Sequence, residues 1–237
     1  MQGTLGYTGL PKRLVLIRHG ESLRNMVKRG AIFLTEEARE TTGRISDVNN
    51  PLTEEGHRQS RLTGEALRER LGVPDCVYHS GYQRTIGTAD SLLDAYSADE
   101  RKRITIRQHF FLRERDTGYT FNMTTEESEQ AFPWLQDYWQ TYGSFYARPP
   151  GGESFADIAQ RVYLFLQELF RRREGDTIFL VTHGGTMRCF RYVIEEWTHE
   201  HMDTAELSRN CAVTAYQYNE DQSKRGLVLE MDNSVFW

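Results

Sequence analysis

Two histidines stand at equivalent places in the sequence, each after an apolar run and each directly before a glycine. The two stretches are Leu14-Val15-Leu16-Ile17-Arg18-His19-Gly20 and Ile178-Phe179-Leu180-Val181-Thr182-His183-Gly184. A neutral imidazole is a nucleophile and a proton carrier, and a guanidinium is suited to bidentate recognition of phosphate or carboxylate. The pattern therefore predicts histidine chemistry on an anionic group, with His19 and His183 at the centre of the site.

Strand ends from distant parts of a sequence converge on one edge of a parallel sheet, and ligands bind at that edge. The residues expected there are Arg18, His19, Arg84, Glu114 and His183. Two guanidiniums and two imidazoles in one cleft repel one another unless an anion lies among them. The expected ligand is therefore a phosphoryl group.

Smaller and neutral residues are expected to complete this site. Ser22 and Asn25 add hydrogen-bond donors, and Gly20 and Gly184 allow the backbone to approach the ligand closely.

Arg115 is expected to bind an acidic part of the substrate, and the alternative is that it forms an ion pair at the surface.

The elements that position these residues follow from the hydrophobic pattern. The apolar runs are typical of inner strands in a parallel sheet that is covered on both faces. Strands alternate with helices, which predicts an α/β fold: a three-layer αβα sandwich with a mostly parallel central sheet. Residues 212–218 and 226–231 predict a closing antiparallel hairpin. We expect a single domain over residues 1–237, with a variable loop or short lid helix at about 23–50 and a small helical cap at about 115–150.

Two local patterns carry further expectations. Thr53 is a suitable N-cap for a long helix that turns Leu62, Ala66 and Leu67 inward. The run His199-Glu200-His201 is interpreted as a polar loop rather than a metal site, because no third ligand is suitably spaced. Neither a metal nor a cofactor is expected.

Composition limits the function classes. The chain has 29 Lys and Arg against 34 Asp and Glu, a formal net charge of −5, so it lacks the basic field that nucleic acid or an anionic membrane attracts. It has no run of about eighteen apolar residues and no leader-like start. The odd number and the spacing of Cys76, Cys189 and Cys211 favour reduced thiols in a cytoplasmic protein. The expected partner is a small molecule, and the sequence leaves undecided whether the protein forms a homodimer.

An ordered set of short motifs resembles the histidine phosphatase superfamily, which includes the cofactor-dependent phosphoglycerate mutases. The motifs are Arg18-His19-Gly20-Glu21-Ser22 with Asn25, Pro51-Leu52-Thr53 with Gly56, Ser80 with Arg84 and Thr88-Ala89, Leu112 with Glu114 and Gly118, and Thr182-His183-Gly184. The resemblance covers roughly residues 12 to 218 and is carried by the order of the motifs. It implies that His19 is the nucleophile, that Glu114 is the proton donor, and that Arg18, Arg84 and His183 form the phosphate pocket.

The resemblance leaves three functions to be separated. The favoured one is a metal-independent phosphomonoester hydrolase that works through a phosphohistidine on a small phosphorylated metabolite. The first alternative is a bisphosphate-dependent phosphoglycerate mutase, although Asp116-Thr117 stand where mutases usually carry His-Tyr. The second is a non-catalytic, regulatory protein that binds a phosphorylated ligand on the same fold.

Overall fold

The computed structural model describes residues 9–28, 33–219 and 226–237. The strands are β1 (Arg13–Arg18), β2 (Cys76–His79), β3 (Thr105–Gln108), β4 (Thr177–Thr182), β5 (Val213–Asn219) and β6 (Gly226–Ser234). The helices are α1 (Leu23–Lys28), α2 (Glu36–Thr42), α3 (Glu54–Leu71), α4 (Gln83–Leu93), α5 (Ala98–Arg101), α6 (Thr125–Ala131), α7 (Leu135–Tyr142), α8 (Phe155–Arg172), α9 (Gly184–Ile194) and α10 (His199–Thr204), with short 3-10 turns at Phe110–Leu112 and Gly118–Thr120. Three predicted features lie wholly or partly outside the described residues. They are the variable loop, the turn of the hairpin, and the start of the chain, where no leader is expected.

The strands form one sheet in the order β3-β2-β4-β1-β5-β6 within the described chain. The first four run parallel, β5 is antiparallel to β1, and β6 is antiparallel to β5. The predicted fold class, with its mostly parallel sheet and closing hairpin, is confirmed. Because β1 and β4 are neighbours with Arg18 opposite Thr182, His19 and His183 leave the sheet side by side.

Helices cover both faces of the sheet. Leu14 and Leu16 of β1 pack with α8 and α9, and Val15 and Ile17 pack with α3 and α4. All four of these side chains are fully buried, and each such burial stabilises the fold by about 1.5–3 kcal/mol. The strand that ends at the first histidine is therefore anchored from both sides.

The inward face of α3 differs from the predicted one. Leu67 is buried, but Leu62 and Ala66 are only partly buried, and the remaining buried positions carry small or polar residues. They are Gly56, Gln59, Ser60, Thr63 and Gly64. A Cβ at Gly64 would lie 2.2 Å from the Leu92 carbonyl oxygen, and one at Gly56 would lie 2.1 Å from that of Glu21. The helix approaches its neighbours too closely for large side chains, and this close approach supports the loop after β1.

The segment 23–50 contains two short helices, α1 and α2, on either side of residues that are not described. The Thr35 hydroxyl accepts a hydrogen bond from Ala38 N and begins α2. The predicted cap contains two short helices, α6 and the aromatic-rich α7. Arg39 of α2 and Glu127 of α6 form an ion pair, so the two insertions contact each other.

The prediction of a polar loop at His199-Glu200-His201 is wrong, because these residues begin α10. The Thr198 hydroxyl accepts a hydrogen bond from His201 N at 3.3 Å, which caps the helix, and the His201 ring stacks on Trp197 at 4.3 Å between centroids. Among the described residues, no group of three or more metal-ligating side chains is placed to hold an ion. In that same part of the chain, every helix is too short or too polar to cross a membrane.

Candidate active site

His19 directly follows β1 and is almost completely buried. Its Nδ1 lies 2.7 Å from the carbonyl oxygen of Gly20, and because a carbonyl can only accept, Nδ1 carries the proton. Burial, followed by the charges of Arg84 and Arg18, holds the pKa of His19 well below its usual value. The ring is therefore neutral near pH 7, and its Nε2 presents a lone pair.

The backbone of His19 is held by the segment that leads into β5. The His19 carbonyl accepts hydrogen bonds from Asn210 Nδ2 at 3.1 Å and from Cys211 N at 3.3 Å. The carbonyl of Asn210 in turn accepts a hydrogen bond from Trp237 Nε1 at 2.8 Å. Asn210 was not predicted as a site residue, although a strand antiparallel to β1 must begin where β1 ends. Trp237 thus supports the backbone of His19 through Asn210.

His183 lies edge-on to His19, with ring centroids 5.2 Å apart and planes at 64°. The Thr85 hydroxyl donates to the carbonyl of Tyr82, so it accepts from Ser80, and Ser80 Oγ is left to accept from His183 Nε2 at 2.9 Å. The Nδ1 of His183 is buried and has no hydrogen-bond partner in the described part of the chain. Burial, then Arg84 and His19, lower the pKa of His183 well below its usual value.

Arg18 and Arg84 supply the permanent positive charge. Arg18 donates through Nη1 to the carbonyl of Ser208, while its Nε is buried without a partner among the described residues. Arg84 is buried on α4 and contacts Asp47, with Nη1 2.6 Å from the carbonyl oxygen and 3.1 Å from Oδ1. Buried polar groups without partners are costly. Arg18 Nε would therefore gain from an oxygen-rich ligand, whereas His183 Nδ1 could donate to one only after the ring is protonated.

Asp47 was not predicted as a site residue, because its segment has no periodicity that would mark it. Its carboxylate is the anionic partner of Arg84 in the structure. A bound phosphoryl group would meet the same guanidinium, so the carboxylate and the ligand compete for it.

Glu114 is carried to the site by a segment without regular structure. The hydroxyls of Thr182 and Thr186 donate to the carbonyls of Leu112 and Arg113 at 2.7 and 2.6 Å. The Glu114 carboxylate accepts from Arg115 N at 2.9 Å and from Gly185 N at 3.5 Å.

A Cβ at Gly185 would lie only 2.8 Å from Glu114 Oε1. The second glycine after His183 therefore makes room for the candidate acid, a role that the sequence analysis did not assign.

These residues surround a cavity of about 230 Å³. Seven of the nine predicted site residues line it, namely Arg18, His19, Ser22, Arg84, Glu114, Asn25 and Arg115. His183 lies beside His19, and a Cβ at Gly184 would lie 3.5 Å from Arg18 Nε. Gly20 faces α3, where a Cβ would meet the Gly56 carbonyl oxygen at 2.5 Å, so close packing rather than ligand approach requires that glycine.

Further residues line the cavity beyond those predicted. Arg24, Lys28, Phe33 and Asp47 come from the segment 23–50, and Phe121, Trp139 and Pro149 come from the cap. Arg115 donates through Nε to the carbonyl of Glu153 at 2.8 Å and stacks over Phe155. The two insertions therefore form the wall opposite the sheet edge.

Comparisons with known proteins show which family the chain belongs to. The sequence model of the histidine phosphatase superfamily (branch 1) matches residues 14–228. A 2,3-bisphosphoglycerate-dependent phosphoglycerate mutase of Rhizobium etli is 35% identical over 215 residues, which cover 89% of this chain and 92% of that protein. A phosphoglycerate mutase-like protein of Arabidopsis thaliana is 31% identical over 223 residues, 85% of this chain and 72% of that protein.

Two solved structures are similar in fold. A mycobacterial glucosyl-3-phosphoglycerate phosphatase superposes with a TM-score of 0.69 at 22% identity, over 94% of this chain and 99% of that chain. The alpha-ribazole phosphatase of Shigella flexneri superposes with a TM-score of 0.70 at 22% identity, over 94% and 98% of the two chains.

Proposed function

Because this chain belongs to the histidine phosphatase superfamily, we propose that it hydrolyses small organic phosphomonoesters through a phosphohistidine on His19. The observation that carries the proposal is the state of His19. Its Nδ1 is fixed as a donor to Gly20, its charge is suppressed, and it lines a cavity shared with Glu114. A neutral imidazole with a fixed tautomer is a nucleophile that needs no separate base.

In the first step, the Nε2 lone pair of His19 attacks phosphorus and the bond from phosphorus to the ester oxygen breaks. Glu114 in its protonated form gives its proton to the departing oxygen, which leaves as an alcohol. The products are an Nε2-phosphorylated His19 that retains its Nδ1 proton, and an ionised Glu114.

In the second step, Glu114 takes a proton from water while the water oxygen attacks phosphorus. The bond from phosphorus to Nε2 breaks, inorganic phosphate is released, and both side chains return to their starting states. Arg18 and Arg84 stabilise the negative charge on the phosphoryl oxygens throughout. Fixed donors in such positions each change a rate by roughly 10²–10³-fold.

His183 contributes through its buried Nδ1. An anion close to an imidazole raises its pKa, so a bound phosphoryl group favours the protonated ring and receives the Nδ1 hydrogen. This hydrogen bond forms after the ligand has bound, because burial and the charge of Arg84 lower the pKa of His183 in the structure.

We propose that neither a metal nor a cofactor takes part. Arg18, Arg84 and the two histidines supply the positive charge and hydrogen bonds that a divalent cation supplies in many phosphoryl transfers. Activity is expected to persist in excess chelator, and a loss that a divalent cation restores would contradict this.

The three buried thiols support a cytoplasmic location.

Hydrolysis is favoured over mutase activity by the residues after Glu114. The exposed Asp116 accepts a hydrogen bond from Gly118 N at 2.8 Å and brings no cation to the cavity, and Thr117 is the neighbour that lines it. Mutase activity is the second candidate, since the curated relatives named above are described as phosphoglycerate mutase or mutase-like.

The test compares His19→Ala with His199→Ala, a matched histidine change at an exposed position of α10. Hydrolysis of p-nitrophenyl phosphate and of alkyl phosphates is measured beside isomerisation of 3-phosphoglycerate with and without the bisphosphate. We expect hydrolysis in the wild type and in His199→Ala, and a loss of at least about 10³-fold in His19→Ala. Brief incubation with ³²P-labelled substrate should label the wild type with an acid-labile, base-stable phosphate.

Two results would overturn the proposal. Efficient isomerisation that depends on the bisphosphate would identify a mutase. Tight binding of phosphorylated compounds without turnover and without label would identify a binding protein.

A further inference from the structure

The segment that carries Glu114 has no regular structure of its own. Residues 113–117 lie between the two 3-10 turns. The threonine hydroxyls described above hold the carbonyls of Leu112 and Arg113, which precede the acid. Ordering such a segment costs conformational entropy at every residue, so the position of Glu114 depends on further contacts.

Glu153, just before α8, binds this segment on both sides of Glu114. The Glu153 carboxylate accepts a hydrogen bond from Arg113 Nη2 and another from Asp116 N at 3.1 Å. Its backbone N–H donates to the carbonyl of Asp116 at 2.8 Å, and its carbonyl accepts from Arg115 Nε at 2.8 Å. One glutamate therefore contacts the residue before the acid and the two residues after it.

Arg161 of α8 holds the backbone of the acid itself. The Arg161 guanidinium donates through Nη2 to the carbonyl of Glu114 at 3.3 Å and through Nη1 to that of Phe111. It also pairs with the Glu153 carboxylate, with Nε 3.1 Å from Oε1 and Nη2 3.3 Å from Oε2. The side chain of Arg161 is 6% exposed and that of Glu153 is 15% exposed, so little water competes for these hydrogen bonds.

The ion pair of Glu153 and Arg161 lies behind the acid and outside the cavity. Neither side chain lines the cavity, so neither is placed to touch a substrate. The Glu114 carboxylate accepts from Arg115 N and Gly185 N, and these contacts hold only while the backbone of the segment stays in place. A general acid has to lie within hydrogen-bond distance of the departing oxygen, and a misplacement of about 1 Å costs about 10²-fold in rate.

We propose that the buried ion pair of Glu153 and Arg161 positions Glu114 for proton donation, so that both residues influence the acid-dependent step without contacting the substrate. They are positioning residues, and the inference rests on the proposed function, which makes Glu114 the acid. A purely structural ion pair would lower stability and affect all phosphate esters alike. A positioning pair affects most the esters whose leaving group needs a proton.

Two esters separate these roles: propyl phosphate, whose alkoxide needs a proton as it leaves, and p-nitrophenyl phosphate, whose nitrophenolate does not. The ratio of their kcat/KM values reports the steps up to departure of the leaving group and excludes the later attack of water. We expect Arg161→Met to lower kcat/KM for propyl phosphate at least about tenfold more than for p-nitrophenyl phosphate, in the same direction as Glu114→Gln. Arg191→Met is the matched control, because the Arg191 side chain is 14% exposed and pairs with Glu195 at 2.8 Å, and it should keep the wild-type ratio.

A double substitution separates positioning from stability. Loss of one partner leaves the other charge buried and is strongly destabilising, whereas replacing both partners with apolar side chains is often neutral or stabilising. The Tm of the Glu153→Met, Arg161→Met protein should therefore exceed that of Arg161→Met, while its ester ratio should stay shifted by at least about tenfold. A ratio that returns to the wild-type value together with Tm would show that the pair is only structural and would overturn the inference.

Hydrogen exchange reports the position of the acid without turnover. The Arg115 amide donates to Glu114 Oε1 at 2.9 Å and not to the pair, and it should exchange at least about tenfold faster in the double variant than in the wild type. An unchanged exchange rate overturns the inference whether or not any ester is hydrolysed. Faster exchange in a protein that hydrolyses neither ester would refute the proposed function and still support the positioning of Glu114.

Glu114→Gln separates the remaining outcomes. If it leaves the ester ratio unchanged, the acid assignment fails and this inference fails with it. If Glu114→Gln shifts the ratio and the double variant does not, this inference alone fails.

Discussion

Removing the charge of Lys28 should stabilise the fold. The unfolded chain binds the lysine proton with the ordinary pKa of 10.5, and the folded chain holds that pKa at about 8. Without solvent screening, this pKa difference corresponds to a destabilisation of the folded state by about 3.4 kcal/mol. Because the ammonium is partly exposed, solvent screening reduces the penalty to about 1–2 kcal/mol. Lys28→Met should therefore raise Tm at pH 7 by about 2–8 °C for a chain of this size.

The direction of the pH dependence follows from the lowered pKa. Below pH 8 the folded protein carries the full penalty, because the lysine is charged in both states. Between pH 8 and 10.5 the unfolded state binds more protons, so the wild type gains stability relative to Lys28→Met as pH rises. Above pH 10.5 both states are neutral at this position, and the two proteins should have similar Tm values.

Calorimetric or fluorescence melting at pH 6, 7, 8, 9 and 10.5 measures this difference. Lys102→Met is the matched control, since Lys102 pairs with Asp99 at an exposed position, and it should change the unfolding free energy by no more than about 0.5 kcal/mol. A lower Tm for Lys28→Met at pH 7 would refute the reasoning, because it would mean that the ammonium is held by a net stabilising interaction. A difference that stays constant up to pH 10.5 would also refute it.

Three further predictions concern the phosphoryl site. Glu114→Gln should lower kcat by about 10²–10⁴-fold for alkyl phosphates but much less for p-nitrophenyl phosphate, whose leaving group needs no proton; equal losses would remove Glu114 as the acid. Asp47→Asn should lower the stability by about 1–3 kcal/mol, since it leaves Arg84 buried without its carboxylate, yet it should lower the Ki for inorganic phosphate severalfold; weaker inhibition would show that Asp47 assists binding. Trp237→Phe removes the hydrogen bond to the Asn210 carbonyl, worth about 1 kcal/mol, and should lower kcat about two- to fivefold with little change in KM; an unchanged kcat would limit the tail to a packing role.

The pattern of apolar residues predicted those site residues that lie at the carboxyl ends of the strands. An apolar run that ends at a charged residue and a glycine marks a buried strand and its carboxyl end, and parallel neighbours bring such ends together. This is why His19 and His183 could be paired across more than 160 positions. The close contact of Gly20 with α3 was not predictable, because periodicity does not report how near two backbones approach.

Residues outside the regular elements depend on tertiary contacts that leave no local signal. Glu114 was assigned through the family motif, and its position follows from threonine hydroxyls of a distant strand and helix that capture the carbonyls before it. Asp47 and Lys28 lie in a segment without sustained period. They reach the cavity because Arg24 and Arg39 attach that segment to the cap, and long-range ion pairs of this kind have no counterpart in propensity or spacing.

The charge distribution links these predictions through the carboxylate of Asp47. The cavity brings several cations into one low-dielectric space, which destabilises the fold, and Asp47 offsets part of that repulsion at Arg84. A phosphoryl dianion brings twice the charge of the carboxylate and more acceptor oxygens, so it should displace Asp47 from the Arg84 guanidinium more readily than a monoanion would.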